Sequence, residues 1–526
     1  MQLGTETPVA TRAARGAVAR PFRARHYLAG IALLALALRL IGIAYGLPEI
    51  YTSDNETSFV WPAITINRTG SLHPSFFGHP GSTVIYAFAF LIQLLFRAQQ
   101  WLGFDPSFAA FEQRFWADPT DVFLLVRAFT AALGTLVVLV TYLVARPLVG
   151  RRAALVGALL VAVAPHQHQW SQLARTDIPA TLFALLTTWA ALQLLQTGRA
   201  RWYAAAGAFA GLALATKYPA VIALIAPAAA HLARWRLGRA GLADRRVLLT
   251  GLAWLVAFLG SSPYLILDRW GALRDLTAEF ELGHLGADRL PGVGNDLWYL
   301  YSALPAAAGW PTYLLGLVGL VLASRRDRPR QLVFAAFPAV YLAVVTSGTT
   351  RWAHWTLPVV PYLAAWAGLA LTWLVGRLGL RRTALVGAAV LVAAWPLGIG
   401  LAHDYRALLT DTRTEAAGWY AAHLPPGARV AFELYAGRAP PTVRADTPGL
   451  IGNRPLAAWR DDGYDYLVFS DWMYGRVYAE PEKFGPEIAL YEEMFAGGRL
   501  LAEFDPCVLD CWLGRRGPTI RVVQIR

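Results

Sequence analysis

Two carboxylates, Asp54 and Glu56, stand two residues apart in the run Tyr51-Thr52-Ser53-Asp54-Asn55-Glu56. Acids this close repel, which raises the proton affinity of one of them and suits a general base near neutral pH. A solvated loop would tolerate the same pair. Further along, Gln172-Leu173-Ala174-Arg175-Thr176-Asp177 sets a guanidinium beside a third acid, and Asp177 would equally serve as a helix N-cap. Lys217 lies in Thr216-Lys217-Tyr218-Pro219 and, with Lys483, makes up the chain's lysines. A lone ammonium between apolar runs either snorkels to an interface or meets an anion such as phosphate. In the turn Thr349-Thr350-Arg351-Trp352-Ala353-His354-Trp355, Arg351 could fork onto a phosphate. Spacing alone gives no role to His73 and His79, nor to Asp268, Glu279, Glu281, His284 and Asp288. No spacing fits a tight metal cluster, a nucleotide-phosphate loop or a Ser-His-Asp set. The acidic first loop leaves room for a divalent metal, which nothing else in the sequence supports.

These residues need elements to position them, and the composition names the kind. Of 526 residues, 56% are hydrophobic and 15% charged, which a soluble chain of this size would not show. Apolar runs long enough to cross a bilayer recur from Tyr27 to Leu401. The net charge of +13 comes from arginines clustered between those runs, so it reads as a topology signal and not as a nucleic-acid surface.

With Arg12, Arg15, Arg20, Arg23 and Arg25 in the cytoplasm, a first helix at 27–46 leads outward. Later helices are expected near 122–147, 152–168, 177–196, 202–216, 218–235, 247–266, 309–323, 331–347, 355–376 and 383–401. Five arginine clusters then fall on the cytoplasmic side: at 146–152, 199–201, 234–246, 325–330 and 377–382. The pattern holds only if the run 82–102 lies along the outer interface, and its Gln93, Arg97, Gln99 and Gln100 suit that placement. The expected architecture is an α-helical polytopic membrane protein of about eleven spans. A basic cytoplasmic segment, 1–26, precedes a transmembrane domain, 27–401, with outer loops at 47–121 and 267–308. Residues 402–526 change composition and read as a small extracytoplasmic α/β domain. Cys507 and Cys511 would form a disulfide there if that side is oxidising. The inner membrane is the expected location. On this topology Asp54, Glu56, Asp177, Lys217 and Arg351 share the outer face.

The order of these motifs resembles the GT-C glycosyltransferases, within them the dolichyl-phosphate-mannose-protein mannosyltransferase-like and aminoarabinose-transferase group. The stretches that carry the likeness are YTSDNETSFVWPAITINRTGSLHPSFFGHPGSTVIY, LVRAFTAALGTLVVLVTYLVARPLVG, SQLARTDIPATLFALL, GLALATKYPAVIAL, SPYLILD and TTRWAHWTLPVVPYLA. The resemblance implies a polyprenyl-phosphate sugar as donor on the outer side and an acid of the first loop as base. It implies Asp54 for that base, with Glu56 beside it, although Asn55 interrupts the family's more usual adjacent Asp-Glu. Asp177 matches the second family acid and Arg127 a family arginine near the outer boundary. Lys217 and Arg351 fall where cations meet the lipid phosphate, and Arg175, Tyr218, His354 and His79 complete the expected substrate-binding set. The implied partners are the bilayer, the lipid-linked sugar and a glycan, lipid or protein acceptor of the cell envelope, with no nucleic acid. A transporter or flippase for a lipid-linked or small substrate is the alternative; it would favour charges at the bilayer midplane and paired broken helices.

Overall fold

The structure, a computed structural model, describes residues 24–51, 53–78, 81–235, 244–281, 285–287, 294–507 and 514–526, the side chains of residues 53–55, 280, 281 and 382 excepted. Helix α1 (Ala24–Leu40) is followed by turns through residue 51, in which Gly42 and Gly46 take positive φ. The stretch read as the first outer loop then forms three helices: α2 (Ser53–Thr69), α3 (Ser82–Trp101) and α4 (Phe108–Ala117). The acidic pair therefore opens a helix and does not sit in a loop. Its composition is ambiguous for a physical reason, since Ser, Asp and Asn favour both loops and the first turn of a helix.

The expected spans return as α5 (Thr120–Val149), α6 (Arg151–Val163), α7 (Pro165–Trp170), α8 (Asp177–Thr197) and α9 (Ala200–Thr216). Further helices run over Ile225–Trp235, Arg246–Ser261, Trp310–Ala323, Arg328–Ser347, Val360–Arg377 and Arg382–Leu408. The run at 152–168 breaks at Ala164, whose ψ of 126° is the extended conformation that Pro165 imposes on the residue before it. Among the described residues, six helices are long and apolar enough to cross a membrane, or seven if the bent pair at Asn295–Ala323 counts as one span.

Helix α3 is one of the six, yet both its ends touch the same end of the bundle. Thr83 pairs with Thr216, the last residue of α9, at 2.6 Å, and Gln99 donates to Asp121 in the first turn of α5 at 3.3 Å. Those two termini lie together with the start of α8, through Lys217–Asp177 and the Glu56–Arg127 contacts described below. A helix tied at both ends to one face lies across it. The arginine-bearing turns gather at the other end, where Arg246 donates to the Gly198 carbonyl at 2.6 Å and Arg234 to that of Leu195 at 2.8 Å.

The bundle is apolar outside as well as inside. Arg246–Ser261 has no buried residue and exposes Leu248, Leu252 and Val256, as a helix in contact with lipid does. It approaches α9 at Gly207, where an added Cβ would stand 2.1 Å from the Thr250 carbonyl oxygen. Small residues at such crossings let backbones pack without a hydrophobic driving force.

After Arg382–Leu408 the chain forms a five-stranded sheet, ordered β2 (Arg444–Asp446), β1 (Arg429–Phe432), β3 (Tyr466–Ser470), β5 (Ile520–Gln524) and β4 (Arg499–Phe504). Strands β2, β1 and β3 are parallel, while β5 runs antiparallel to β3 and β4. Alternate residues face opposite layers. Val430, Phe432 and Val468 pack under the helix Thr412–His423, and Ala431, Leu467 and Phe469 under Leu456–Asp461 and Gly485–Gly497.

Candidate functional site

The first turn of α2 is braced from three sides. Glu56 is fully buried and takes two hydrogen bonds from Arg127 on α5, at 2.9 Å from Nε and 2.6 Å from a terminal nitrogen. The same guanidinium donates to the carbonyls of Ile43 and Tyr45 at 2.7 and 2.9 Å. Glu56 Oε1 also accepts the backbone N–H of Ala174 at 2.7 Å. One bidentate pair thus ties the turn after α1, the start of α2, the first turns of α5 and the segment leading into α8. From above, the C-terminal domain grips the same turn. Tyr45 donates to Asp411 at 2.7 Å, and Arg413 donates to the Tyr51 carbonyl at 2.9 Å with its guanidinium 4.1 Å from the Tyr51 ring. Asp54 belongs to this first helical turn; its side chain lies outside the described residues, as do His79, His284 and Asp288.

Three residues beyond Ala174, Asp177 is the first residue of α8, but the N-cap position falls to Thr176, so the cap expected of Asp177 is not formed. Asp177 is 3% exposed, pairs with Lys217 at the end of α9, and accepts from Arg175 Nε at 3.2 Å. The Arg175 guanidinium lies 4.6 Å from the ring of Trp170, and the His354 ring lies 4.4 Å from that same indole. Asp177, Arg175, Lys217 and His354 therefore form one cluster, joined to Glu56 and Arg127 through residues 174–177. Lys217 is met by a carboxylate and does not snorkel freely. Tyr218 turns towards the segment between α2 and α3 and donates to the Phe77 carbonyl at 2.8 Å. Arg351 shares the His354 segment and donates to Asn295 Oδ1 at 2.9 Å, while its backbone N–H bonds to Ala287.

Arg39, His168 and Asp404 also shape the site and have no counterpart in the motif reading. Arg39 of α1 is wholly buried and donates to Ser171 Oγ at 3.1 Å and to the Ala162 carbonyl at 3.1 Å. His168 and Gln172 both reach Asp404 Oδ1, at 2.8 and 2.9 Å, and Gln172 donates to the Ile41 carbonyl at 2.6 Å. These contacts hold the α7 turn, and with it residues 171–177, against the helix that runs into the C-terminal domain. A signal existed for Arg39 and Asp404: each is a charge near the end of an otherwise apolar run. Among the described residues no three metal-binding side chains come together. Cys507 is disulfide-bonded, and Cys511 lies outside the described residues.

Residues 120–266 match the family model described as dolichyl-phosphate-mannose-protein mannosyltransferase. No curated protein sequence matches the chain. Among solved structures it is similar to ArnT from Cupriavidus metallidurans in the apo state, at 15% identity over 96% of this chain and 98% of that one, with a TM-score of 0.56. The same protein bound to undecaprenyl phosphate matches at 14% identity, over 95% and 98%, with a TM-score of 0.53. The apo Archaeoglobus fulgidus oligosaccharyltransferase matches at 14% identity, over 91% and 73%, with a TM-score of 0.52. At such identities the likeness is one of fold, and with the family match it points to the GT-C glycosyltransferases, as the motif order implied.

Proposed function

We propose that this chain is an integral membrane glycosyltransferase that moves a sugar from a polyprenyl-phosphate donor to an acceptor at the outer face of the bilayer. The observation that carries the reading is the gathering at one end of the bundle: the α2 turn that bears Asp54, the Asp177–Lys217–Arg175–His354 cluster, and Arg351. The solved ArnT structure with undecaprenyl phosphate supports a lipid-phosphate donor on this fold.

In this reading Asp54 takes the proton from the acceptor hydroxyl or amine as its oxygen or nitrogen attacks the anomeric carbon. The bond from that carbon to the phosphate oxygen breaks, and the lipid phosphate leaves with the electron pair. Lys217 and Arg351 neutralise the leaving phosphate, with Arg175, Tyr218, His354 and His79 around the donor. A single displacement inverts the anomeric carbon. Glu56 gives both oxygens to Arg127 and one also to a backbone N–H. That engagement supports assigning the base to Asp54 and the bracing of α2 to Glu56.

The test is to reconstitute the full chain in nanodiscs with labelled undecaprenyl-phosphate hexoses and pentoses and isolated envelope glycans, and to follow loss of sugar from the lipid. Asp54→Asn should lower transfer by about a hundredfold or more while leaving thermal stability in place. Full transfer by that variant, or no sugar loss with the unaltered protein, refutes the assignment; a transporter would move the lipid and leave it intact.

A further inference from the structure

The turn that bears Arg351, residues 348–352, is held by a segment to which the proposed reaction gives no role. That segment, Asn295–Ala308, meets Trp310–Ala323 at a bend of 114°. Its residues Asn295 and Tyr299 stand one helical turn apart, so they lie one above the other on a single face. Asn295 Oδ1 accepts from Arg351 Nε at 2.9 Å. The amide nitrogen of Asn295 donates to the Gly348 carbonyl and, at 3.4 Å, to that of Thr350. Tyr299 is fully buried, and its hydroxyl shares its proton between the carbonyls of Thr350 and Trp352, at 3.2 and 3.3 Å. The same hydroxyl accepts the Trp352 N–H at 3.1 Å. Two side chains thus hold the backbone on both sides of Arg351. Tyr299 also opens a single π-helical turn, Tyr299–Ala303. Such turns give up hydrogen-bond geometry and recur at functional sites.

Bracing alone accounts for the bonds to the backbone, since peptide groups in an apolar protein must find partners. It does not account for Asn295 Oδ1, which is given to a side chain. A guanidinium is a rigid planar fork, so a bond at Nε sets the direction in which its terminal nitrogens point. Arg351 also stands three residues before His354, whose ring packs on Trp170 beside Arg175 of the Asp177 cluster. We propose that Asn295 and Tyr299 are positioning residues for the lipid phosphate and act through Arg351. Asn295 aims the guanidinium, and Tyr299 fixes the turn that carries it. The proposal rests on the polyprenyl-phosphate reading and extends it to two residues outside the cationic set.

The experiment places the full chain in nanodiscs doped with undecaprenyl phosphate and undecaprenol at varied ratios. Native mass spectrometry of the released protein then gives the ratio of the two lipids retained. Charge-assisted hydrogen bonds are worth about tenfold or more each, so the parent should favour the phosphate by about a hundredfold through Lys217 and Arg351. Arg351→Met should cut that ratio by about tenfold, and Asn295→Ala and Tyr299→Phe by about three- to tenfold each. A clasp with a structural duty alone would weaken both lipids together and leave the ratio unchanged. In the Arg351→Met background neither change should lower the ratio further, because the side chain they act through is gone. Tyr299→Phe keeps its ring in the same packing, so the test stands even if Asn295→Ala does not fold. A parent that favours the phosphate while both variants keep its ratio overturns the positioning and leaves the donor reading in place. A full further loss on top of Arg351→Met does the same. A parent that holds both lipids equally overturns the donor reading and this assignment with it.

Discussion

Replacing Glu56 by glutamine keeps the shape of the side chain and removes its charge from beside Arg127. The two side chains are 0% and 1% exposed, so water cannot take over. The carbonyls of Ile43 and Tyr45 still accept from the guanidinium at 2.7 and 2.9 Å, but they carry no full charge. Removing one member of a buried ion pair costs about 3–5 kcal/mol. A glutamine carbonyl can still accept the Ala174 N–H that Glu56 Oε1 accepts at 2.7 Å, so the lower end, about 3 kcal/mol, is expected. Reversible unfolding in mixed micelles, followed by circular dichroism, measures it. The companion Glu56→Leu/Arg127→Met removes both charges together. It should be less damaging than the sum of the single changes by about 2 kcal/mol. Transfer activity should fall with stability in Glu56→Gln, in contrast to Asp54→Asn, where activity alone falls. A loss below about 1 kcal/mol would mean the pair behaves as a solvated one, and Glu56 would no longer be a brace.

Lys217→Met should destabilise the chain by roughly 2 kcal/mol, less than a fully orphaned buried charge because Arg175 still faces Asp177, and Lys217→Arg should recover most of it; equal stability of all three forms in the same unfolding assay refutes the pairing. Glu433, at the end of β1, is buried and its carboxyl is pushed from 4.5 up to about 7 by desolvation, against the hydrogen bonds it takes from Ser470, Ile451 and Tyr491. The folded chain then holds that proton more tightly than the unfolded chain, so stability falls as pH rises from 4.5 to about 7 and is level above. That window is worth about 3 kcal/mol, and Glu433→Gln should flatten it; an unaltered slope between about pH 5 and pH 8 counts against the assignment. Gly207→Val should cost about 1–3 kcal/mol and part α9 from Arg246–Ser261, because its Cβ would meet the Thr250 carbonyl oxygen at 2.1 Å; wild-type stability would show that the crossing is looser than it stands here.

What the sequence could fix is local. Apolar run length and the arginines between runs depend only on neighbouring residues, so the helices from Thr120 onward and the two ends of the bundle were legible. The polar side of the run at 82–102 told its lying orientation for the same reason. The acids, the lone lysine and the turn at Arg351 were legible as residues out of place in an apolar chain.

Their partners were not. Glu56 meets Arg127 across 71 residues and His168 meets Asp404 across 236. No periodicity encodes such pairs, because they depend on which helix ends the packing brings together. Nor could spacing choose between Asp54 and Glu56: that distinction arises when one acid is folded against a guanidinium. A cavity beside the C-terminal domain goes further still, since Arg406 and Arg516 stand 110 positions apart in the sequence and line it together only because the C-terminal domain packs on the bundle. Sequence alone determined that this is a polytopic membrane chain with unusual charge at the ends of its apolar runs. Tertiary packing decided which charges brace the fold and which are left facing an open space, because burial and pairing are properties of distance in space and not along the chain.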